Sequence, residues 1–287
     1  MTVQPLLEWD PKQLGNYTLT GRLGAGGFGT VYAAKDPHGT PVAVKMLRPE
    51  LAADQGLRNR LAREGDAMRR VNSERTVDII DVVTDGPVAY LVMELVDGTG
   101  LDEHIANNGP LHGPILWFTA EGLVDALAAI HHAGIVHRDF KPSNVMLSPD
   151  GAKVLDFGVS VIAEETSHTA TGAFLGSAAW ISPEQVNGDD ATPASDIFTL
   201  GLVLAYAATG QHPYGTGRAD AVMFRIAHQQ PDLTGIPHPL TDAVTACLAT
   251  NPDDRPTIDD LTNFFRSGGN DPLNTGNISG QIGRAHV

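Results

Sequence analysis

The chain of 287 residues has a single cysteine, Cys247, which excludes an internal disulfide framework and a cysteine-rich zinc site. We expect Cys247 to pack on a helix rather than act as a nucleophile. Basic residues are also scarce, because 19 Lys and Arg stand against 34 Asp and Glu, for a formal net charge of −15. A surface of that sign repels phosphate backbones, so we expect no nucleic acid among the partners.

Long hydrophobic runs are lacking as well. The longest apolar stretch, residues 200–208, is far shorter than the roughly 20 residues needed to cross a bilayer. The first residues carry Glu8 and Asp10 and lack the basic start and apolar run of a secretory signal. With 42 % hydrophobic residues and a mean hydropathy of −0.09, the chain can bury a sizeable core. We therefore expect a cytoplasmic protein without a membrane span.

The pattern of apolar and polar residues divides the chain into a small β-rich part and a larger helical part. We predict an N-terminal extension at 1–16, a β-rich lobe at 17–94, a helical lobe at 95–266 and a polar tail at 267–287. Alternating apolar residues predict antiparallel strands within 17–48 and at 79–83 and 88–94. Apolar residues at helical spacing predict helices at 51–71, 115–132 and 194–209.

A glycine-rich turn opens the set of chemical motifs. Residues 24–29 read G-A-G-G-F-G, which fits G-x-G-x-x-G, with Gly24, Gly26 and Gly29 at the motif positions. A dinucleotide-binding turn would lead into a helix, but the β-branched and aromatic residues after Gly29 predict a second strand. Glycines between antiparallel strands let backbone N–H groups approach a triphosphate, and the alternative is a plain hairpin turn.

A lysine follows on the next predicted strand. Residues 42–45 read V-A-V-K, and the apolar neighbours of Lys45 indicate a partly buried ammonium, which needs negative partners. Nucleotide phosphates and one carboxylate would supply them. We predict Glu64 as that carboxylate, with Asp66 as the competing candidate on another face of the helix and an exposed pair with Arg60 as the structural alternative.

The helical part carries the most specific pattern. Residues 137–144 read H-R-D-F-K-P-S-N, and D-F-G follows at 156–158. Phosphoryl transfer is catalysed by positioning and by neutralising phosphate charge. Oxygen ligands suit Mg²⁺, and Asn144 and Asp156 can supply them. Asp139 can orient a hydroxyl and accept its proton, and Lys141 can steady the transferred phosphate.

In these motifs, taken together and in order, the chain resembles the eukaryotic-type serine/threonine protein kinases, in particular their bacterial members, over residues 17–266. The resemblance implies an α+β bilobal fold with an ATP cleft between a small antiparallel sheet lobe, which carries one helix, and a larger helical lobe. It implies Lys45 on the ATP phosphates and paired with Glu64, Asp139 as catalytic base, and Asn144 and Asp156 as metal ligands. The adenine pocket is implied at Leu23, Val31, Ala43, Met93, Glu94, Val96 and Met146.

The resemblance also implies an activation segment from 156 to 184. Thr169 and Thr171 are the expected autophosphorylation sites, and Arg138 is the expected partner of their phosphates. The alternative is a Ser/Thr-rich loop without a switch. Glu184 and Arg255 resemble a buried structural ion pair, and Asp196 resembles an aspartate that holds the catalytic loop. Trp180 replaces a more usual Tyr in the region that docks substrate, and Gly65, directly after Glu64, weakens its helix.

The resemblance leaves three classes of function. The first is an active kinase that uses ATP and Mg²⁺, with Mn²⁺ as a substitute, on Ser and Thr of protein substrates, together with a homodimer for autophosphorylation in trans. The second is a pseudokinase scaffold, which would lack one of the five motif groups that this chain retains. The third is a kinase-like enzyme of small molecules, which would lack an activation segment ending in P-E with a matching Arg. We predict the first.

Overall fold

A six-stranded antiparallel sheet forms the N-terminal lobe. The computed structural model describes residues 3–26, 29–155, 179–271 and 273. The sheet has the order β1-β2-β3-β4-β6-β5. Its strands are β1 (Gln13–Leu14), β2 (Tyr17–Ala25), β3 (Gly29–Lys35), β4 (Pro41–Leu47), β5 (Ile79–Val83) and β6 (Tyr90–Glu94). The predicted strand at 79–83 is confirmed, and the one predicted from 88 begins two residues later.

The two faces of this sheet carry different side chains because residues alternate along a strand. On one face Val42 and Val44 of β4 pack with Tyr32 and Val92 in a small core. On the other face Ala43 joins the large core that continues into the second lobe. Lys45 lies on the same face as Ala43, two residues further along the strand, and is buried.

The helical segment after β4 is divided in two. We predicted one helix at 51–71, whereas the structure has α1 (Pro49–Ala52) and α2 (Gln55–Met68). The break lies at Asp54, whose carboxylate accepts hydrogen bonds from the backbone N–H groups of Gly56 and Leu57. An aspartate satisfies these free N–H groups best at a helix N-cap, so the side chain starts a new helix there.

The second lobe is helical, with one small sheet. Its helices are α3 (Leu101–Asn108), α4 (Gly113–His132), α5 (Pro183–Val186), α6 (Pro193–Thr209), α7 (Ala219–His228), α8 (Leu240–Cys247) and α9 (Ile258–Arg266). Its strands are β7 (Thr99–Gly100), β8 (Val145–Ser148) and β9 (Gly151–Val154), and a 3-10 turn, Pro142–Asn144, precedes β8. The helices predicted at 115–132 and 194–209 are confirmed to within two residues.

Helices α4 and α6 form the centre of the second lobe. Nearly every residue of α6 is buried, and Cys247 of α8 packs against it. By length and composition alone α4 could cross a membrane, and it is the single helix of the described residues that meets this test. Half of its apolar window is buried inside the protein, and it packs against α9 and β9, as a core helix does.

The two lobes are joined by backbone hydrogen bonds as well as by the chain. The segment between α2 and β5 pairs with β9, where the N–H of Val154 donates to the Arg75 carbonyl at 2.8 Å. In return the N–H of Val77 donates to the Val154 carbonyl at 3.1 Å. The ammonium of Lys153 on β9 also bonds both carboxylate oxygens of Glu94, at 2.7 and 2.8 Å. These contacts place the end of β6 directly over the second lobe.

Candidate active site

The glycine-rich turn joins β2 and β3, as the sequence predicted. Ala25 and Thr30 face each other across the hairpin, and the N–H of Gly26 donates to the Gly29 carbonyl at 2.8 Å. Residues 27 and 28 lie outside the described residues. A strand follows Gly29, which excludes the dinucleotide interpretation because that fold needs a helix at this point. A Cβ at Gly29 would overlap the Met46 carbonyl, so only glycine fits beside β4 there.

Lys45 lies in the middle of the sheet. It pairs in register with Val31 on β3 and with Leu91 on β6, and only 7 % of the residue is exposed. Glu64 is part of α2, but its side chain lies outside the described residues. The Lys45–Glu64 pair therefore stays a prediction.

Six of the seven residues expected around adenine belong to the large core or pack against it. Ala43 and Met93 face each other across β4 and β6. Four of the set are buried in this core and two more pack against it: Ala43, Met93, Val96 and Met146, then Leu23 and Val31. Glu94 is the last residue of β6 and pairs with Lys153. The sequence did not reveal this partner, because nothing in the pattern distinguishes Lys153 from other lysines on strands.

The loop after His137 brings three of the predicted catalytic groups together. The Lys141 ammonium lies 2.5 Å from Asp139 Oδ2. The Asn144 amide nitrogen donates to the same oxygen at 3.1 Å and to the Asp139 carbonyl at 2.8 Å. The 3-10 turn makes this possible because it folds Asn144 back over Asp139. One carboxylate is thus oriented by two donors only a few residues away.

Asn144 can also meet the requirement for a metal ligand. Its side-chain nitrogen donates to Asp139, so its side-chain oxygen is the atom that could bind a hard cation such as Mg²⁺. Asp156, the second expected ligand, lies outside the described residues. In the described part of the chain no group of three or more His, Cys, Asp and Glu side chains could hold a metal ion.

Asp196, at the start of α6, holds the backbone of the loop that carries Asp139. Its two carboxylate oxygens accept the backbone N–H groups of His137 and Arg138, at 2.7 and 2.9 Å. His131 Nε2 lies 2.8 Å from the same carboxylate. Arg138 has φ of 67°, a left-handed conformation that is rare outside glycine, so these bonds stabilise a strained backbone next to Asp139.

Glu184 and Arg255 form the predicted buried ion pair. The guanidinium makes two parallel bonds of 2.8 Å to the two carboxylate oxygens. Ser195 Oγ donates to the same carboxylate at 2.7 Å. Burial raises the pKa of Glu184, but the hydrogen bonds from Arg255 and Ser195 outweigh it and the pKa lies below its usual value. The carboxylate is therefore ionised and fixed.

The residues just before Glu184 contact the loop between α6 and α7. Trp180 packs against His212 and Tyr206, and His212 bonds to the Ala179 carbonyl. The sequence did not reveal His212, because a lone histidine in a loop has no local pattern. Thr169 and Thr171 lie outside the described residues, and Arg138 is described without them.

Comparison with known proteins gives a consistent result. The family described as protein kinase domain matches residues 17–264. The chain is 44 % identical over 259 residues to the "Probable serine/threonine-protein kinase PkwA" of Thermomonospora curvata, covering 90 % of this chain and 35 % of that protein. It is 38 % identical over 275 residues to the serine/threonine-protein kinase AfsK of Streptomyces coelicolor, covering 94 % and 34 %.

A further relative is the serine/threonine-protein kinase PknL of Mycobacterium tuberculosis, 33 % identical over 246 residues, with 83 % of this chain and 62 % of that protein covered. The chain thus spans about a third of the length of the first two relatives. Its antiparallel sheet lobe and its helical lobe agree with the family match. The chain belongs to the protein kinase family, among relatives that are bacterial serine/threonine-protein kinases.

Proposed function

We propose that this chain is an active protein serine/threonine kinase, which transfers the γ-phosphate of ATP to Ser and Thr hydroxyls of proteins. One observation carries the proposal: Lys141 and Asn144 both bond to Asp139 Oδ2, on a loop that Asp196 fixes. A carboxylate oriented in this way can accept a proton from a hydroxyl without first reorganising. The names of the relatives support serine and threonine as the acceptors.

In the proposed transfer step, Asp139, Lys141 and Lys45 each have a separate role. The substrate hydroxyl oxygen forms a bond to the γ-phosphorus as the bond to the bridging oxygen of ADP breaks, and the hydroxyl proton passes to Asp139. Lys141 lies next to this carboxylate and balances negative charge on the transferred group. Lys45, buried on β4, binds the phosphates that stay with ADP.

Protein kinases use ATP and a divalent metal, and we propose Mg²⁺ as the metal here, with Mn²⁺ as a substitute. When bound, Mg²⁺ neutralises phosphate charge and orients the γ-phosphate. Asn144 would hold it through its amide oxygen, together with Asp156. Main-chain groups of Glu94, at the end of β6, and of Val96, two residues later, would bind the adenine edge. The proposed location is the cytoplasm, where ATP is abundant.

Regulation by phosphorylation is a second part of the proposal. Thr169 and Thr171 would be phosphorylated in trans by a second copy of the chain, and Arg138 would bind the phosphate. Mass spectrometry of protein made with ATP present should find phosphate on one of these threonines. A fully active enzyme with neither threonine modified contradicts this part of the proposal.

The test of activity is Asp139→Asn. We expect transfer of radiolabelled phosphate to protein to fall by about 10²–10⁴-fold, which is the usual contribution of a general base. Asp150→Asn, on the exposed turn between β8 and β9, is the control and should keep the wild-type rate. EDTA should stop the wild-type reaction, and excess Mg²⁺ should restore it.

The outcomes separate the three classes of function. ATP binding without turnover in the wild-type chain indicates a pseudokinase. Labelling of small molecules but not of protein indicates a small-molecule kinase. An unchanged rate in Asp139→Asn contradicts the role of this carboxylate.

A further inference from the structure

The segment Ala179–Glu184 is fixed at both of its ends. Its C-terminal end is held by the ion pair of Glu184 with Arg255, described above. Its N-terminal end is held by His212, whose Nε2 lies 2.8 Å from the Ala179 carbonyl oxygen. His212 belongs to the loop between α6 and α7, more than thirty residues further along the chain.

The hydrogen bonds of His212 define one form of the ring. The backbone N–H of Tyr214 donates to His212 Nδ1 at 3.2 Å, so Nδ1 is an acceptor and carries no proton. Nε2 then carries the proton and donates to the Ala179 carbonyl. Burial lowers the pKa of His212 to about 4, which keeps this neutral form at neutral pH.

The same ring fixes the next side chain. Trp180 lies edge-on to His212, with ring centroids 4.8 Å apart, and edge-on to Tyr206 at 5.5 Å. Together with Arg225, His212 and Tyr214 also line a cavity of about 510 Å³. Arg225 in turn holds the loop, because its guanidinium donates to the Tyr214 and Thr216 carbonyls.

We propose that His212 is a positioning residue for the protein substrate, acting through Ala179 and Trp180. The proposal rests on the proposed function, because the resemblance places the docking of the substrate chain in this segment. His212 fixes where the Ala179 carbonyl and the Trp180 indole lie before substrate arrives. It does not touch Asp139, so it affects the binding of the protein substrate rather than the transfer of phosphate.

The experiment compares three variants with the wild type, using a peptide chosen from a degenerate Ser/Thr library by wild-type phosphorylation. His212→Phe keeps a ring beside Trp180 but removes both hydrogen bonds. His212→Gln can still donate to the Ala179 carbonyl. His132→Gln, at an exposed position on α4, is the control for replacing a histidine. Melting temperatures verify that each variant is folded.

We expect His212→Phe to raise the KM for the peptide about fivefold, about 1 kcal/mol, because, of the two lost hydrogen bonds, the one to the Ala179 carbonyl is the bond that positions the substrate segment. The KM for ATP and kcat should stay within about twofold of wild type. His212→Gln should recover most of the peptide KM, and His132→Gln should match wild type.

Two results overturn the proposal: an unchanged peptide KM in His212→Phe, or a rise in both KM values together with a loss of kcat. If His212→Phe does not fold, His212→Gln decides the question against His212→Asn, whose shorter side chain cannot reach Ala179. Equal peptide KM values in that pair contradict the proposal. A wild-type chain that phosphorylates no peptide contradicts the proposed function instead, so the two failures are distinct.

Discussion

At the scale of single residues, the position of Asp139 depends on a strained neighbour. Arg138 has a positive φ, and a residue in such a conformation costs about 1–3 kcal/mol unless its surroundings hold it. Asp196 supplies those surroundings, since its carboxylate accepts two successive backbone N–H groups and faces His131. The free energy of these bonds offsets the strain and fixes the direction of Asp139.

Asp196→Asn should therefore weaken the attachment of the loop that carries Asp139 to the start of α6. An amide has one acceptor oxygen, so its NH₂ group would face a backbone N–H of His137 or Arg138. We expect the free energy of unfolding to fall by about 1–3 kcal/mol, the cost of a buried donor without a partner, and phosphorylation to fall with it. Urea unfolding and rate measurements provide the check. Asp259→Asn, an exposed aspartate on α9, is the control, and equal rates in the two variants would show that Asp196 does not position the loop.

Two bidentate arginine–carboxylate pairs differ in burial, and the buried arginine, Arg255, also donates to three backbone carbonyls. Arg255 has no exposed side-chain surface in its pair with Glu184, whereas Arg218 and Asp220 are largely exposed. We expect Arg255→Met to lower the free energy of unfolding by about 3–5 kcal/mol, because it leaves a buried carboxylate uncompensated. Arg218→Met should change it little, because water screens that pair. Similar losses in urea unfolding would contradict this view of burial.

The residues of the site were predictable to different degrees. Asp139, Lys141 and Asn144 lie within one short stretch of chain, so their motif alone ensures that they are close. Asp196 and Arg255 are distant in sequence, and only the resemblance to a family pointed to them. His212 and Lys153 act through tertiary contacts with segments far away in the chain, and a single polar residue gives no periodic pattern from which such a contact could be inferred.

At the scale of elements, the strands and long helices follow from hydrophobic periodicity, but the break between α1 and α2 does not. The apolar residues keep their helical spacing across Asp54, so the sequence pattern did not indicate that Asp54 caps a new helix. Gly65 in α2 is a further case. From the sequence it reads as a residue that weakens the helix, whereas a Cβ there would lie 2.5 Å from Cγ2 of Val82 on β5. The glycine allows helix and strand to approach closely.

Gly65→Ala tests which effect is larger. Helix propensity alone predicts stabilisation by up to about 1 kcal/mol. The overlap with Val82, a stiff β-branched side chain, predicts destabilisation of about 1–3 kcal/mol, which we expect to dominate. Urea unfolding gives the sign. The double variant Gly65→Ala with Val82→Ala should be less destabilised than the two separate losses predict, and simple additivity would show that the contact is not responsible.

At the scale of the whole molecule, the acid side of the stability curve should reflect buried neutral histidines. The pKa of His212 is about 4 in the folded protein because of burial, with Arg225 as the charged group facing it, against an unperturbed value of 6.5. Burial also lowers the pKa of His137, despite the nearby Asp196 and Asp139. Between the two pKa values the unfolded chain binds more protons than the folded one, so acid favours unfolding.

His212 should thus contribute stability that is complete above about pH 6.5 and lost as the pH falls towards 4, with a slope of up to about 1.4 kcal/mol per pH unit. Urea unfolding from about pH 7 to about pH 5 measures this slope. Glu184 does not contribute to the slope in this pH range, because its pKa is lowered. Its stabilising negative charge is lost only at a lower pH. In His212→Gln the free energy of unfolding should depend less steeply on pH, because the contribution of one histidine is removed. Some dependence remains, because His137 still titrates in both proteins. Parallel curves would mean that the folded ring takes up its proton as readily as the unfolded one, which the two hydrogen bonds of the neutral ring do not allow.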